Sequence, residues 1–216
     1  MWTPRWEAAL EAARRLGGED RAAPGFNQPG LEIAPPASEA DVHQVEQQLG
    51  VSLPSSLRLV LCRFSAHVRF VWARPHESPD HPHWGYCEWD LGDLKRVRTE
   101  WLKWIDVVFP DPTETYDAVW HDKFPVMEVP NGDMIAIDQR SHDDESVVYL
   151  SHDDGQGHGF VLGGDFVDFI DRWSKLGCPG PEDWEWLRFC GSPKSGLEPE
   201  GDSGRAWREW FGLTEA

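Results

Sequence analysis

Positive charge is what the middle of this sequence has least of. Residues 106–183 carry four Lys or Arg against 18 Asp or Glu, a net of −14. The flanks are close to balance: residues 1–105 hold 12 basic and 14 acidic side chains, and residues 184–216 hold four and six. Nearly all of the formal charge of −18 therefore lies in one stretch. A field of that sign repels nucleic acid and anionic membrane surfaces and attracts basic proteins. The plainer use of such acidity is a solvated, soluble surface.

Other absences narrow the function further. The four cysteines, Cys62, Cys87, Cys178 and Cys190, form no C-x-x-C pair, so four separate reduced thiols in a cytosolic protein are expected. Cys62 sits among Leu57, Leu59, Val60 and Leu61, where a buried thiol away from cations is inert. No run approaches the ~20 apolar residues of a membrane span. The opening MWTPRWEAALEAARRLG lacks the apolar segment of a signal peptide, and a cytoplasmic location is expected. There is no G-x-S-x-G nucleophile elbow. Gly155, Gly157, Gly159, Gly163 and Gly164 resemble a phosphate loop only in glycine content. They come with Asp153, Asp154 and Asp165 and no Lys, so the loop reads as a turn. No cofactor is expected.

What the chain does have is tryptophan, 13 of them among 40% hydrophobic residues, a globular composition despite the charge. At 216 residues it is long enough for one large domain or one domain with appendages. Three parts are expected: an N-terminal helix and linker over 1–35, a central domain over 36–181, and a Trp-rich extension over 182–216 that packs on it. The centre is the run 124–154, FPVMEVPNGDMIAIDQRSHDDESVVYLSHDD. Val126, Met127 and Val129 lead to Asn131-Gly132, and Met134, Ile135 and Ile137 follow. That is a hairpin signal. Pro130 would close a two-residue loop without an N–H to give, so a slightly longer loop is equally compatible. Val147, Val148, Tyr149 and Leu150 make a third strand. With Asn131-Gly132 as the loop, Val126 and Ile137 share one face and Met127 and Ala136 the other. Both faces are apolar, as in a strand pair deep within a sheet.

Helical spacing of Trp6, Ala9, Leu10 and Ala13 predicts a helix over 4–17. A linker over 19–36 contains a possible strand at 31–33. Ser38 and Asp41 form a capping box for a helix over 38–49, with Val42, Val45 and Leu49 inward and Gly50 just past its end. Pro54 opens the next helix at its first position, with Leu57, Leu61 and Phe64 inward. Residues 67–72 alternate as a strand, and 74–89, with many Pro, His and aromatic residues, read as a loop. Residues 91–108 read as a helix with Asp90 at its N-cap and Leu94, Val97, Trp101 and Ile105 inward. An acidic connection with room for one helical turn covers 111–122. A short strand at 160–162 precedes a helix capped by Asp165 with Asp168 three residues on. Its stripe is Phe166, Phe169, Ile170, Trp173 and Leu176, ended by Gly177 and Pro179. Residues 184–190 fit either strand or helix, 191–204 are a polar linker, and Trp207, Trp210 and Phe211 mark a last short helix.

The tetrapeptide Ser-His-Asp-Asp occurs twice, at 141–144 and 151–154. His and carboxylates are ligands for Zn, Mn or Fe, which raises a metal-dependent hydrolase. A six-residue strand is ~20 Å long, so the two copies at its ends do not reach one ion without a sharp bend. Asp and Ser that terminate strands by bonding nearby backbone are the better account, and no metal site is expected. His76, His81 and His83, with Glu77 and Asp80, match no ligand spacing.

Three blocks in order resemble the SUKH superfamily. The first is Leu49-Gly50-Val51-Ser52-Leu53-Pro54 with Leu57, Leu61 and Phe64. The second is Phe124-Pro125-Val126, Gly132-Asp133, Ile135-Ala136-Ile137-Asp138 and Val147-Val148-Tyr149-Leu150-Ser151-His152-Asp153. The third is Phe166, Phe169, Trp173 and Leu176-Gly177-Cys178. Together they run from about 36 to 179. After Phe64 the chain has Ser65-Ala66-His67 where the family has Asn-Gly-Gly. The resemblance implies an α+β fold, a curved, mixed, mainly antiparallel sheet with helices packed on one side. It also implies binding rather than catalysis. Most bacterial members of the superfamily resemble immunity proteins that neutralise toxins, often nucleases, and a fungal branch regulates cell-wall synthesis through protein contacts. The expected partner is then a basic cognate toxin. The expected partner-binding residues are Asp111, Glu114, Asp117, Asp143, Asp144, Glu145, Asp153 and Asp154. A regulatory adaptor for a cellular protein would use the same fold. An adjacent toxin gene separates immunity from the adaptor, and metal content of purified protein separates both from a hydrolase.

Overall fold

A computed structural model describes residues 2–17, 29–74, 81–140 and 145–213. The helices form where caps and apolar spacing place them. α1 (Thr3–Arg15) buries Trp6, Ala9, Leu10 and Ala13. α2 (Glu39–Leu49) carries the full capping box: the Ser38 hydroxyl accepts from the Asp41 amide, and the Asp41 carboxylate accepts from the Ser38 amide. Gly50 ends it at φ 70°. α3 (Ser55–Arg63) begins one residue later than expected, because Pro54 is extended (ψ 143°) and serves as the N-cap. α6 (Phe166–Lys175) is capped by Asp165, which accepts from the Asp168 amide, and buries Phe166, Phe169, Ile170 and Trp173.

The strands form two sheets, and every pairing among the described residues is antiparallel. β1 (Gly30–Ile33), β2 (His67–Ala73) and β3 (Trp84–Asp90) lie in that order in one. β4 (Lys123–Glu128), β5 (Met134–Asp138), β6 (Val147–Leu150) and β7 (Val161–Gly163) make the other. This is the α+β class expected, with its strands divided between two sheets. β3 corrects the loop expected over 74–89. It pairs with β2 along its whole length, from His67 opposite Asp90 to Ala73 opposite Trp84. Gly85 is there for close approach. A Cβ at 85 would lie 1.9 Å from the Trp72 indole nitrogen and 2.4 Å from the Cys178 carbonyl oxygen.

The β4–β5 hairpin takes the longer loop. The Gly132 amide donates to the Val129 carbonyl, and the Val129 amide donates to the Asp133 carbonyl, both at 2.9 Å. Pro130 and Asn131 are the central residues of this turn, and Gly132 follows at φ 100°, the left-handed position a three-residue loop reserves for glycine. β5 and β6 are buried on both faces, as the sequence implied. Ile135, Ile137, Val147 and Tyr149 join a large core with Trp6, Trp72, Trp89 and Trp173. Met134, Ala136, Val148 and Leu150 join a smaller core closed by Trp101, Phe109 and Trp120. Val126 and Ile137 share the large core, but Met127 does too and does not face Ala136. The cause is a register shift between Pro125 and Met127.

The lid of the smaller core contains the main departure from expectation. α4 (Leu94–Lys103) buries Leu94, Val97 and Trp101. Asp93 takes the N-cap position; Asp90 ends β3 and accepts from the Gly92 amide at 2.7 Å. The helix then widens into a π turn, Trp104–Val108, in which the Phe109 amide donates to the Trp104 carbonyl five residues back at 2.9 Å. A regular α-helix with Leu94, Val97, Trp101 and Ile105 inward would next bury Val108. The extra residue gives that place to Phe109, 6% exposed, and leaves Val107 77% and Val108 47% exposed. α5 (Asp117–Trp120) completes the lid.

The C-terminal stretch is helical where it was ambiguous, α7 (Asp183–Trp186) running into a 3-10 turn, Leu187–Phe189. α8 (Asp202–Phe211) sets Phe211 with its ring centroid 4.6 Å from that of Trp72. The Trp207 indole donates to the Leu176 carbonyl at 2.8 Å. Both ends of the chain thus pack into the large core. No helix among the described residues is long and apolar enough to cross a membrane.

Candidate partner-binding face

The second Ser-His-Asp-Asp copy and the β4–β5 turn meet at one buried carboxylate. Asp133 is 2% exposed. Its Oδ1 accepts from the His152 amide at 2.8 Å and from His152 Nδ1 at 2.6 Å. Its Oδ2 accepts from Asn131 Nδ2 at 2.8 Å and from the Tyr149 hydroxyl. Asp133, His152 and Asp153 bring ligand atoms within 4.8 Å of one another, near enough for an ion. A carboxylate offers about four lone-pair directions, and donors already occupy all four on Asp133. The arrangement is a hydrogen-bonded hub that ties the hairpin turn to the end of β6. Ser151 ends that strand as expected: its hydroxyl donates to Asp153 Oδ1 and accepts from the Gly155 amide, both at 3.0 Å. The first copy, 141–144, lies outside the described residues.

Beside the hub, Tyr116 joins two acidic segments. Its hydroxyl donates to the Ser151 carbonyl at 2.7 Å and accepts from the Asp154 amide at 3.1 Å. Its ring stacks on His158 with centroids 3.8 Å apart. His158 Nδ1 accepts from the Ser151 amide at 3.0 Å, so the proton sits on Nε2, 3.1 Å from the Tyr116 carbonyl. Burial pushes the His158 pKa down, which keeps this bridge neutral at pH 7. The 111–117 segment is ordered from within. Thr113 donates its amide and hydroxyl to Asp111, at 2.9 and 2.6 Å. Asp117 Oδ2 accepts from the Asp111 amide at 3.1 Å. The Thr113 bonds hold the Asp111 carboxyl below its ordinary value.

Tyr116 therefore brings the segment of Asp111, Glu114 and Asp117 against that of Asp153 and Asp154. Asp111, Glu114, Asp153 and Asp154 are exposed and Asp117 half-buried. Asp143 and Asp144 lie outside the described residues. Glu145 has a different task. Its carboxylate accepts from the Ser55 amide at 2.6 Å, the Ser55 hydroxyl at 2.7 Å and the Ser56 amide at 2.7 Å, capping α3. The four basic residues of 106–183 are engaged with other carboxylates. Lys123 is buried 3.5 Å from Asp138, Arg140 also pairs with Asp138, Arg172 with Asp168 and Lys175 with Asp171. His81 and His83 turn to the C-terminal segment: His81 stacks on Trp210 at 4.2 Å, and His83 Nδ1 lies 2.8 Å from Glu185 Oε1. His76, Glu77 and Asp80 lie outside the described residues.

Sequence reading missed Tyr116 and His158, whose roles depend on contacts 35 to 42 residues away. It passed over Asp133 except as part of a Gly-Asp pair.

A family model described as the SMI1/KNR4 family (SUKH-1) matches residues 36–172. The chain belongs to the SMI1/KNR4 family. The matched span opens just before α2 and ends within α6, so it holds the hairpin, the hub, the π turn and both acidic segments of this SUKH-1 domain. α1, α7 and α8 lie outside it, yet Trp6, Trp186 and Trp207 share the domain's large core. No curated protein matches the chain.

Proposed function

We propose that this SMI1/KNR4-family chain is a non-catalytic protein-binding domain of the immunity type, which neutralises a basic, nuclease-type toxin in the cytoplasm. The observation that carries the reading is the acidic face built around Tyr116. Asp111, Glu114 and Asp117 stand on one of its segments and Asp153 and Asp154 on the other, inside a stretch of net −14. A nuclease is basic where it holds nucleic acid, and an acidic surface of the right shape competes for that place. Complementary fields of this kind raise association rates to ~10⁸–10⁹ M⁻¹s⁻¹ at low salt. The alternative use of the same domain is regulatory, binding a basic cellular protein.

The test is binding of the purified chain to the product of the adjacent gene, with Kd measured across salt concentrations. Asp111→Asn, Glu114→Gln and Asp154→Asn together keep the local hydrogen-bond acceptors and remove three charges. Weaker binding and a flatter salt dependence are expected. Unchanged affinity and slope would place the contact elsewhere, and an adjacent gene product that does not bind favours the regulatory use.

A further inference from the structure

We propose that the π turn at the end of α4 is the apolar centre of the partner interface: Val107 and Val108, with Leu102, receive an apolar side chain of a basic partner protein whose Lys and Arg meet the surrounding carboxylates. This rests on the binding function proposed above and names the contact that function uses. Val107 is the most exposed of the large hydrophobics among the described residues, at 77%, with Val108 at 47% and Leu102 at 38%. Single exposed apolar residues are ordinary, but contiguous ones mark contact surfaces. Here two are adjacent on the π turn, and Leu102 lies on the last regular turn of α4 just before it.

Their exposure follows from the backbone. The Phe109 amide reaches back five residues to Trp104, and the added residue turns Val108 out where a regular helix would bury it. Isolated π turns of this kind are rare and concentrate at functional sites.

The charge around the ridge identifies the occupant. Asp106 is exposed on the same turn. Phe109, which ends it, packs against Tyr116 with centroids 5.6 Å apart, and Tyr116 holds the two acidic segments. On the other side the Trp104 ring lies 5.1 Å from that of His152, next to Asp153. Lys103 also borders the strip but is paired with Glu100 at 2.7 Å, so the rim stays net acidic and fits a partner with an apolar side chain set among Lys and Arg. It does not fit a lipid surface or a nucleic acid, whose phosphates the rim repels. A second copy of this chain would bring like charges together.

The experiment places a photoreactive side chain at 107 or 108 of the full chain, in cells that carry its gene, and sequences the cross-linked protein. Position 59 is the control, since Leu59 is 51% exposed on α3. The expected adduct forms from 107 and 108, not from 59, with a protein of pI above ~9. With that protein purified, Val107→Ser plus Val108→Ser is expected to raise Kd about tenfold or more at an unchanged salt slope. An adduct with a second copy of this chain, with an acidic protein, or at no more than the level seen from 59 overturns the inference. If Asp111→Asn/Glu114→Gln/Asp154→Asn weakens binding and the double serine variant does not, the acidic face stands and the ridge falls. If neither variant matters, both readings fall.

Discussion

Replacing Glu145 separates a structural carboxylate from a partner-binding one. Glu145 belongs by sequence to the acidic run 143–145, and charge alone groups it with Asp153 and Asp154. In the fold it caps α3 from 90 residues away, accepting two backbone amides and one hydroxyl. Losing a side-chain cap costs about 1–2 kcal/mol. Losing a negative charge at a helix N-terminus costs about 0.3–1 kcal/mol more when partly exposed. Glu145→Ala should therefore lower stability by about 2 kcal/mol. For a chain of this size ~2–4 °C follows each kcal/mol, so the melting midpoint should fall by about 4–8 °C. Glu145→Gln keeps an acceptor and loses the charge, and should cost half of that or less. The pH dependence gives a second check. Burial works against ionisation of Glu145, but the Ser56 and Ser55 bonds together hold its carboxyl below the ordinary 4.5. A depressed carboxylate stabilises the fold above its unfolded value, and that contribution fades as pH falls through the folded value. Thermal unfolding of both variants from pH 7 to pH 3 should show a gap to wild type that holds down to about 4.5 and then closes. A Glu145→Ala midpoint within 1 °C of wild type at pH 7 would refute the capping argument, as would a gap that widens in acid.

Four further outcomes are expected. Tyr116→Phe removes the hydroxyl that bridges Ser151 and Asp154; about 1 kcal/mol should be lost, with faster amide exchange at Asp154. Asp133→Ala leaves the Tyr149 hydroxyl and the His152 amide without their acceptor; a loss of about 3 kcal/mol or more in urea unfolding is expected. Gly85→Ala forces a methyl into the Trp72 indole and the Cys178 carbonyl and should cost more than ~3 kcal/mol or prevent soluble expression. Burial holds the Glu185 carboxyl above its ordinary 4.5 against the pull of His83. A raised carboxyl stabilises below 4.5 and loses that contribution as pH rises, so Glu185→Gln should gain on wild type in melting midpoint between pH 4.5 and 7.

Local rules carried much of the fold. Ser38 with Asp41, and Asp165 with Asp168, fix their helices through neighbours three residues away, and such signals survive in any single sequence. Pro130, with no N–H to close a two-residue loop, marks the longer turn that the hairpin takes. β3 was hidden because the Pro, His and aromatic content of 74–89 is that of a loop, while the pairing that orders 84–90 is with β2, outside that stretch. The π turn was hidden for another reason: one added residue changes which of Val108 and Phe109 faces inward, and both are apolar. At the candidate face, charge composition pointed to the acidic segments. It was silent on Tyr116, which brings them together, and it could not tell Glu145, spent on a distant helix, from the acids beside it.

The π turn also means that what α4 presents to the outside depends on counting, not on chemistry. Deleting one residue between 103 and 108 would remove the wide turn and let the helix run on in regular phase with Phe109 still in its buried place, leaving the exposed ridge one residue shorter. The composition of the surface would hardly change. A one-codon deletion of Val107 would take the most exposed apolar side chain off the surface while the core contact of Phe109 and every carboxylate of the rim stay encoded.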